Sequence, residues 1–289
     1  MLNLQTYQTP QDFLDKAETY LLKDEAKNSL MYGVIRRLHQ YPEIFTQKPF
    51  LSTIEDTADE KGLMFCATMT PPNVLILTTD RTDYADALPL IATALLDEGW
   101  NVPGAMGEKQ LAKDFVEVWA KISGESYRLN MNEKLYKLTQ VTLPAIIPPG
   151  KFRLAEEKDI PLVADWFVAF TEEALTGEKF TDPLAVARMR VETATMSLWE
   201  EETGEVVSLS GFGRPTLNGI NVGPVYTPPE LRGKGYASAL VAILSQHLLD
   251  RGYQYVTLYT DLANPISNGI YQKIGYKPIC DFDMYFFDK

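Results

Sequence analysis

The sequence predicts an α+β protein in which a mixed, mostly antiparallel sheet is flanked by helices. Three observations carry that reading. Short apolar or alternating runs bounded by Pro, Gly and Asn are interspersed with longer stretches of helical periodicity. Met196–Glu200 and residues 205–211 are strand-like and joined by Glu202-Thr203-Gly204, and a third strand follows Asn218-Gly219, so successive strands double back through hairpins. Finally, Leu143-Pro144-Ala145-Ile146-Ile147-Pro148-Pro149-Gly150 packs three prolines and a glycine into eight residues, which neither a helix nor a central strand continues through. A chain of 289 residues has the length of about two domains. The break places them at 1–147 and 148–289.

In the first half, apolar spacing predicts helices over Pro10–Leu22 and residues 24–38. Strands are expected at Leu63–Met69 and 73–78, with Pro71-Pro72 turning between them. Helices over 83–96 and 108–123, the latter stopped by Gly124, and a strand over 127–139 complete this half. Gly104-Ala105-Met106-Gly107 reads as a tight turn or, alternatively, as an anion-binding start to the helix that follows. In the second half a strand at 152–155 leads to a helix opened by Glu157-Lys158-Asp159-Ile160 and ending near residue 175. A second helix is expected over Pro183–Glu192. Three antiparallel strands follow, the last over 220–227, with Asn218-Gly219 before it as a type I′ pair. A loop, a helix, a strand at Tyr255–Asp261, another helix and a final strand pair end the chain.

Composition excludes several function classes. Lys plus Arg is 27 and Asp plus Glu is 39, a net charge of −12. The halves divide it evenly, with 14 basic and 20 acidic residues in 1–147 and 13 and 19 in 148–289, so neither is a charged tail. Such a surface repels a phosphate backbone and an anionic bilayer, so neither nucleic acid nor membrane is an expected partner. No run approaches the roughly 18 apolar residues of a spanning helix, and the first residues lack the apolar core of a secretion signal, so a cytoplasmic location is expected. Cys66 and Cys280 are far apart in apolar stretches and read as buried, reduced thiols. With two histidines, His39 and His247, and no Cys-x-x-Cys, no metal is expected. The oligomeric state has no signature in the sequence.

The chemistry concentrates after residue 227, at Pro228-Pro229-Glu230-Leu231-Arg232-Gly233-Lys234-Gly235-Tyr236-Ala237-Ser238. Ala237, Leu240, Val241, Leu244 and Leu248 then form one apolar helical stripe, which Gly252 ends. Two glycines let backbone approach a ligand closely, and a helix N-terminus offers free amides, so the loop is a candidate pyrophosphate cradle. The plain alternative is a solvated turn. A Walker A loop is excluded because Pro228 stands where its first glycine belongs and Gly235 where Ser or Thr belongs. A dinucleotide fingerprint lacks its third glycine, replaced by Ser238, and its preceding parallel unit.

Arg232-x-x-Gly235-x-Ala237 behind an antiparallel strand resembles the acetyl-CoA loop of the GNAT N-acetyltransferase superfamily. The resemblance continues through the next strand into Asn264-Pro265-Ile266-Ser267-Asn268-Gly269-Ile270-Tyr271-Gln272-Lys273-Ile274-Gly275-Tyr276. It implies a GNAT-like acyltransferase fold for 148–289, with acetyl-CoA as cosubstrate and a small-molecule or peptide amine as acceptor. The backbone at Val225, Tyr226 and Thr227 is then expected to pair with the pantetheine arm. Arg232 and the amides of Gly233, Lys234, Gly235, Tyr236, Ala237 and Ser238 are expected around the pyrophosphate. Asn264 would contact the CoA arm, or cap its helix, or both. Tyr271 would protonate the leaving thiolate, the alternative being a core tyrosine with a satisfied hydroxyl.

The amine would attack the thioester directly, with strand amides near 225–227 stabilising the oxyanion. No residue is fixed as general base. Glu172 and Glu173 stand where family members line the acceptor cleft but also read as solvated carboxylates, and Asp281 and Asp283 are equally ambiguous. Residues 1–147 contain no such loop. They read either as a degenerate second copy of the same fold or as an unrelated α+β domain. The competing function is a non-catalytic acyl-CoA-binding sensor or structural protein.

Overall fold

The computed structural model describes residues 1–44, 47–58, 62–174 and 182–288. They form two compact units that interleave along the chain. The first comprises Met1–Leu135, Asp261–Ala263 and Ile279–Lys289, and the second Tyr136–Thr260 and Asn264–Pro278. Among the described residues no helix is long and apolar enough to cross a membrane.

The first unit begins with β1 (Leu2–Thr6), whose Leu2 and Leu4 alternate with exposed Asn3 and Gln5, a short pattern that the sequence reading passed over. α1 (Pro10–Leu22) starts as expected, with the Thr9 hydroxyl accepting from the Asp12 amide at 3.1 Å and proline in the first turn. α2 (Ser29–Gln40) starts later than the predicted residue 24. Asn28 is the reason: its buried amide group donates to the Leu21 carbonyl at 2.9 Å and accepts from Thr78 at 2.6 Å, which holds the preceding residues in a turn.

β2 (Phe50–Asp56), absent from the sequence reading, precedes β3 (Leu63–Met69) and β4 (Leu75–Thr79). α3 (Ala87–Asp97) is shorter at its start than expected. Residues 104–107 are neither turn nor anion site but most of a strand, β5 (Gly104–Glu108). Both glycines are there for close approach: a Cβ on Gly104 would lie 2.0 Å from the Tyr285 carbonyl oxygen, and one on Gly107 2.9 Å from that of Leu77. α4 (Lys109–Ser123) ends at left-handed Gly124, and β6 (Ser126–Leu138) follows.

Residues 141–150 contain no helix or strand, as the three prolines dictate. The second unit then runs β7 (Lys151–Leu154), α5 (Ile160–Ala174), α6 (Pro183–Glu192), β8 (Met196–Glu200), β9 (Val206–Gly213), β10 (Gly219–Tyr226), α7 (Tyr236–Asp250), β11 (Tyr255–Asp261) and α8 (Pro265–Ile274). The expected end of α5 near residue 175 lies outside the described residues. Asn218-Gly219 is not a type I′ pair, since neither residue has positive φ. Gly219 instead opens β10 under the Tyr255 ring, which a Cβ would strike at 2.1 Å. The expected final strand pair is one strand, β12 (Lys277–Asp288). From Ile279 onward it belongs to the first unit, running antiparallel to β5 from Phe282↔Glu108 to Phe286↔Gly104.

Both halves of the chain spell the same order: β1-α1-α2-β2-β3-β4-α3-β5-α4-β6, then β7-α5-α6-β8-β9-β10-α7-β11-α8-β12. Their pairings repeat as well. β1 to β4 and β7 to β10 are antiparallel in succession, whereas β4–β5 and β10–β11 are parallel. An unrelated first domain would not reproduce ten elements in order, so the first half is a second copy of one topology.

Each copy buries its own core. Phe65, Leu77, Ile91, Phe115 and Trp119 pack in the first, where the rings of Trp119 and Phe287 stack at 5.2 Å. In the second, Val241, Leu244 and Leu248 of α7 pack on Val222, Val256 and Leu258, the stripe read from sequence. Cys66 is buried as expected and Cys280 only partly; both are free thiols.

Candidate functional site

In the second unit, β10 and β11 are laddered only over Gly219↔Tyr255, Ile220↔Val256 and Asn221↔Thr257. Beyond Asn221, β10 continues against β9 alone, with a register shift between Val222 and Val225 at Gly223-Pro224. Its other edge, from Val222 to Tyr226, has no strand partner among the described pairings. Val225, Tyr226 and Thr227 therefore stand where two parallel strands part at their C-terminal ends, the place where open α/β sheets receive ligands. Ser208 of β9 fixes this end: its hydroxyl donates to the Tyr226 carbonyl at 3.1 Å and lies 2.9 Å from the Thr227 hydroxyl. The Tyr226 ring is buried, tilted against Trp166 at 5.9 Å, and burial raises its phenol's pKa.

The loop after β10 turns through Gly233 (φ +77°) and Gly235 (φ +88°), both left-handed positions that favour glycine. Packing does not require glycine at either position. A Cβ on Gly233 would meet nothing within 4 Å, and one on Gly235 only Pro148 Cδ at 3.9 Å. α7 begins at Tyr236 with no side chain capping its first turn. The amides of Tyr236, Ala237 and Ser238 thus keep the orphan donors of a helix start, facing a partly open surface. Tyr236 contributes backbone only, because its ring packs beside Trp199 and its hydroxyl bonds Glu201. Lys234 is exposed, its ammonium 5.9 Å from the Tyr236 ring centroid.

Arg232 is held in place rather than loose. Its Nε donates to the Thr227 carbonyl at 2.8 Å and its Nη2 to Glu173 of α5 at 2.6 Å, which raises the guanidinium's pKa further. Glu173 is therefore the loop's ion-pair partner, a link across 59 positions that no sequence pattern announces. Glu172 is exposed. Asp281 and Asp283 lie in the first unit and are already engaged. Asp281 pairs with Lys134 at 2.8 Å, and Asp283 accepts from Asn132 at 2.6 Å and Tyr285 at 3.1 Å.

α8 supplies the remaining candidates. Asn264 caps it, accepting from the Ser267 amide at 3.0 Å with Pro265 in the first turn, and its exposed position leaves the amide nitrogen available. Tyr271 is 8% exposed, edge-on to Tyr276 at 5.9 Å, and its hydroxyl has no hydrogen-bond partner among the described residues. The neighbouring Tyr276 hydroxyl, by contrast, is bonded to Ser245 at 2.8 Å. Burial pushes the Tyr271 phenol up to about 12.

The equivalent region of the first unit is built differently. Its loop after β4 offers Asp80, Asp83 and Asp86 and no glycine. Arg81 in that loop is bound to Asp83 at 2.7 Å. A cavity of about 240 Å³ lies at the end of β4, but its cations are already matched: Lys23 to Asp80 at 3.0 Å, and Lys27 to the Thr79 carbonyl at 3.1 Å. Among the described residues no group of acidic, His and Cys side chains is arranged to hold a metal.

Residues 212–286 match the FR47-like protein family model, which spans the parting strands, the glycine loop and α8. Solved structures match over nearly the whole chain. A Drosophila protein aligns with a TM-score of 0.70 at 13% identity, over 99% of this chain and 98% of its own. A GCN5-related N-acetyltransferase from Sphaerobacter thermophilus aligns at 0.64 and 14% identity, over 98% and 94%. The chain has the GNAT fold. A tandem GNAT protein from the clavulanic acid biosynthesis pathway also aligns, with a TM-score of 0.57 at 12% identity over 100% of this chain and 98% of its own. The doubled GNAT topology seen within this chain accords with that tandem arrangement. No curated protein matches by sequence.

Proposed function

We propose that the chain is an acetyl-CoA-dependent N-acetyltransferase acting on a small-molecule or peptide amine, with its chemistry confined to residues 148–289. The observation carrying this reading is the uncapped start of α7 behind two left-handed glycines, set where β10 and β11 part. An anionic pyrophosphate suits that position because orphan amides and the helix dipole both favour negative charge. The open space at Gly233 and Gly235 fits such a group. Acetyl-CoA supplies an activated acetyl thioester, and the chain's residues position and relieve it of charge.

The amides of Gly233, Lys234, Gly235, Tyr236, Ala237 and Ser238 hold the pyrophosphate, with Arg232 braced by Glu173 beside them. The free edge of β10 at Val225, Tyr226 and Thr227 pairs with the amide-bearing arm and donates to the oxyanion as the amine adds. Asn264 contacts the same arm. Tyr271 donates a hydrogen bond, then its proton, to the sulfur as the carbon–sulfur bond breaks, and the attacking nitrogen loses its proton to solvent. Tyr271, whose side chain keeps 8% exposure on α8, is in this reading the acid that separates turnover from a binding-only sensor.

The first copy, with three aspartates in place of the glycine loop, does not bind CoA in this reading. Titration calorimetry of the intact chain should give one acetyl-CoA per chain. A stoichiometry of two would overturn the confinement, and no binding would overturn the function.

A further inference from the structure

Residues 143–150 bring apolar surface beside the phosphate loop. Both ends of this segment are fastened. The Thr142 amide donates to the Ile274 carbonyl at 2.7 Å, and the Trp199 indole donates to the Pro149 carbonyl at 3.2 Å. Gly150 (φ +123°) is pressed against the same indole, where a Cβ would lie 2.7 Å from Nε1. Three prolines stiffen the span between these anchors. It passes the glycine loop at Pro148, whose Cδ is 3.9 Å from where a Gly235 Cβ would stand.

On this braced span sit Leu143 at 54% exposure, Ile147 at 44% and Ile146 at 84%, a value exceeded only by Met1 among the described large apolar side chains. Successive Cα atoms are about 3.8 Å apart, so Ile147 and Ile146 lie within about 4 and 8 Å of Pro148 along the chain. An exposed isoleucine on a floppy loop needs no explanation. One on a strap held at both ends and running past an anion cradle keeps apolar surface close to whatever the anion is attached to.

We infer that Ile146 and Ile147, held beside the cradle by the buried Pro148, form a platform for the adenosine end of acetyl-CoA. Resting on the acetyl-CoA reading above, it adds a second contact region, because adenosine is the group bonded to the far side of the pyrophosphate. An adenine face is flat and apolar, and burying it against aliphatic side chains removes both surfaces from water. The aspartate-rich loop of the first copy has no equivalent anion cradle, so the platform makes sense only beside α7.

The test uses two donors with the intact chain: acetyl-CoA, and S-acetyl-4′-phosphopantetheine, which lacks adenosine. Ile146→Ser with Ile147→Ser should weaken acetyl-CoA binding about fivefold, the loss expected for some tens of Å² of apolar contact. Binding of the truncated donor should be unchanged. The melting temperature is the folding control, and both residues are exposed enough for it to hold. Equal affinities of variant and parent for acetyl-CoA would overturn the platform, as would an equal weakening of both donors. Failure of the parent chain to bind acetyl-CoA at all would overturn the underlying functional reading, a separate and distinguishable result.

Discussion

Gly235→Glu should raise the dissociation constant of acetyl-CoA by at least about a hundredfold while the circular dichroism spectrum stays that of the parent. Two costs are involved, and they fall on different quantities. Gly235 sits at φ +88°, where an L side chain is strained by about 1–2 kcal/mol. That strain is present with and without ligand, so it lowers stability rather than affinity. The affinity loss comes from the carboxylate itself. It enters space otherwise empty but for Pro148, at the mouth of the uncapped helix, and meets the pyrophosphate charge at short range. Two like charges about 4 Å apart near a protein surface repel by about 4 kcal/mol, enough for a hundredfold with margin for relaxation. Gly235→Ala separates the two costs: it should lose comparable stability but much less affinity. Calorimetry on both variants decides the matter, and undiminished binding by the glutamate variant would reduce the loop to a turn.

For Tyr271→Phe the expected result is a fall in kcat of at least about tenfold with acetyl-CoA affinity nearly unchanged. The substitution keeps the ring that packs on Tyr276 and removes only a hydroxyl with no protein partner, so stability has little to lose. With the phenol raised to about 12, its proton is present throughout the working range, and kcat should show no tyrosine ionisation limb below about pH 11. So weak an acid acts first as a hydrogen-bond donor to charge growing on sulfur, which places its effect in the transition state and hence in kcat. The stability linkage has the corresponding sign. A folded-state pKa of about 12 against an ordinary 10 contributes stability that is whole below pH 10 and lost as pH rises towards 12. The alkaline unfolding curve of Tyr271→Phe should therefore be shallower over that window. A normal kcat combined with a lowered melting temperature would identify a core tyrosine and leave water as the acid.

The parts of the protein legible in the sequence were those whose signal is local. The α7 stripe, the α1 start at Pro10, the Asn264 cap and the Gly124 stop are each decided within a few residues, and they fall where the pattern put them. The glycine loop was legible for the same reason, its two positive-φ glycines and helix start being contiguous. What was not legible depended on distant neighbours. Gly104 and Gly107 look like turn residues until Tyr285 and Leu77 are packed against them, and Gly219 looks like a hairpin residue until the Tyr255 ring covers it. Asn28 delays α2 through Thr78, fifty positions away. Glu173 gave no hint of Arg232, nor Pro148 of Gly235. The doubling of the fold left no shared motif to find, because the first copy keeps the topology and lacks the loop.

β12 has a consequence for how the protein is made. Its residues from Ile279 onward complete the sheet that β1 to β5 began, covering the β5 edge with Phe282 to Phe286. On the ribosome, the first unit must wait for the second to be synthesised before that edge is closed. At about 5–20 residues per second, the roughly 170 residues between β5 and β12 take about 10–30 seconds to emerge. Throughout that interval the nascent chain presents an open strand with apolar neighbours, the condition under which chains cross-pair. Slower translation or a truncated message would lengthen the exposure, so this chain should depend on chaperones more than its size alone suggests.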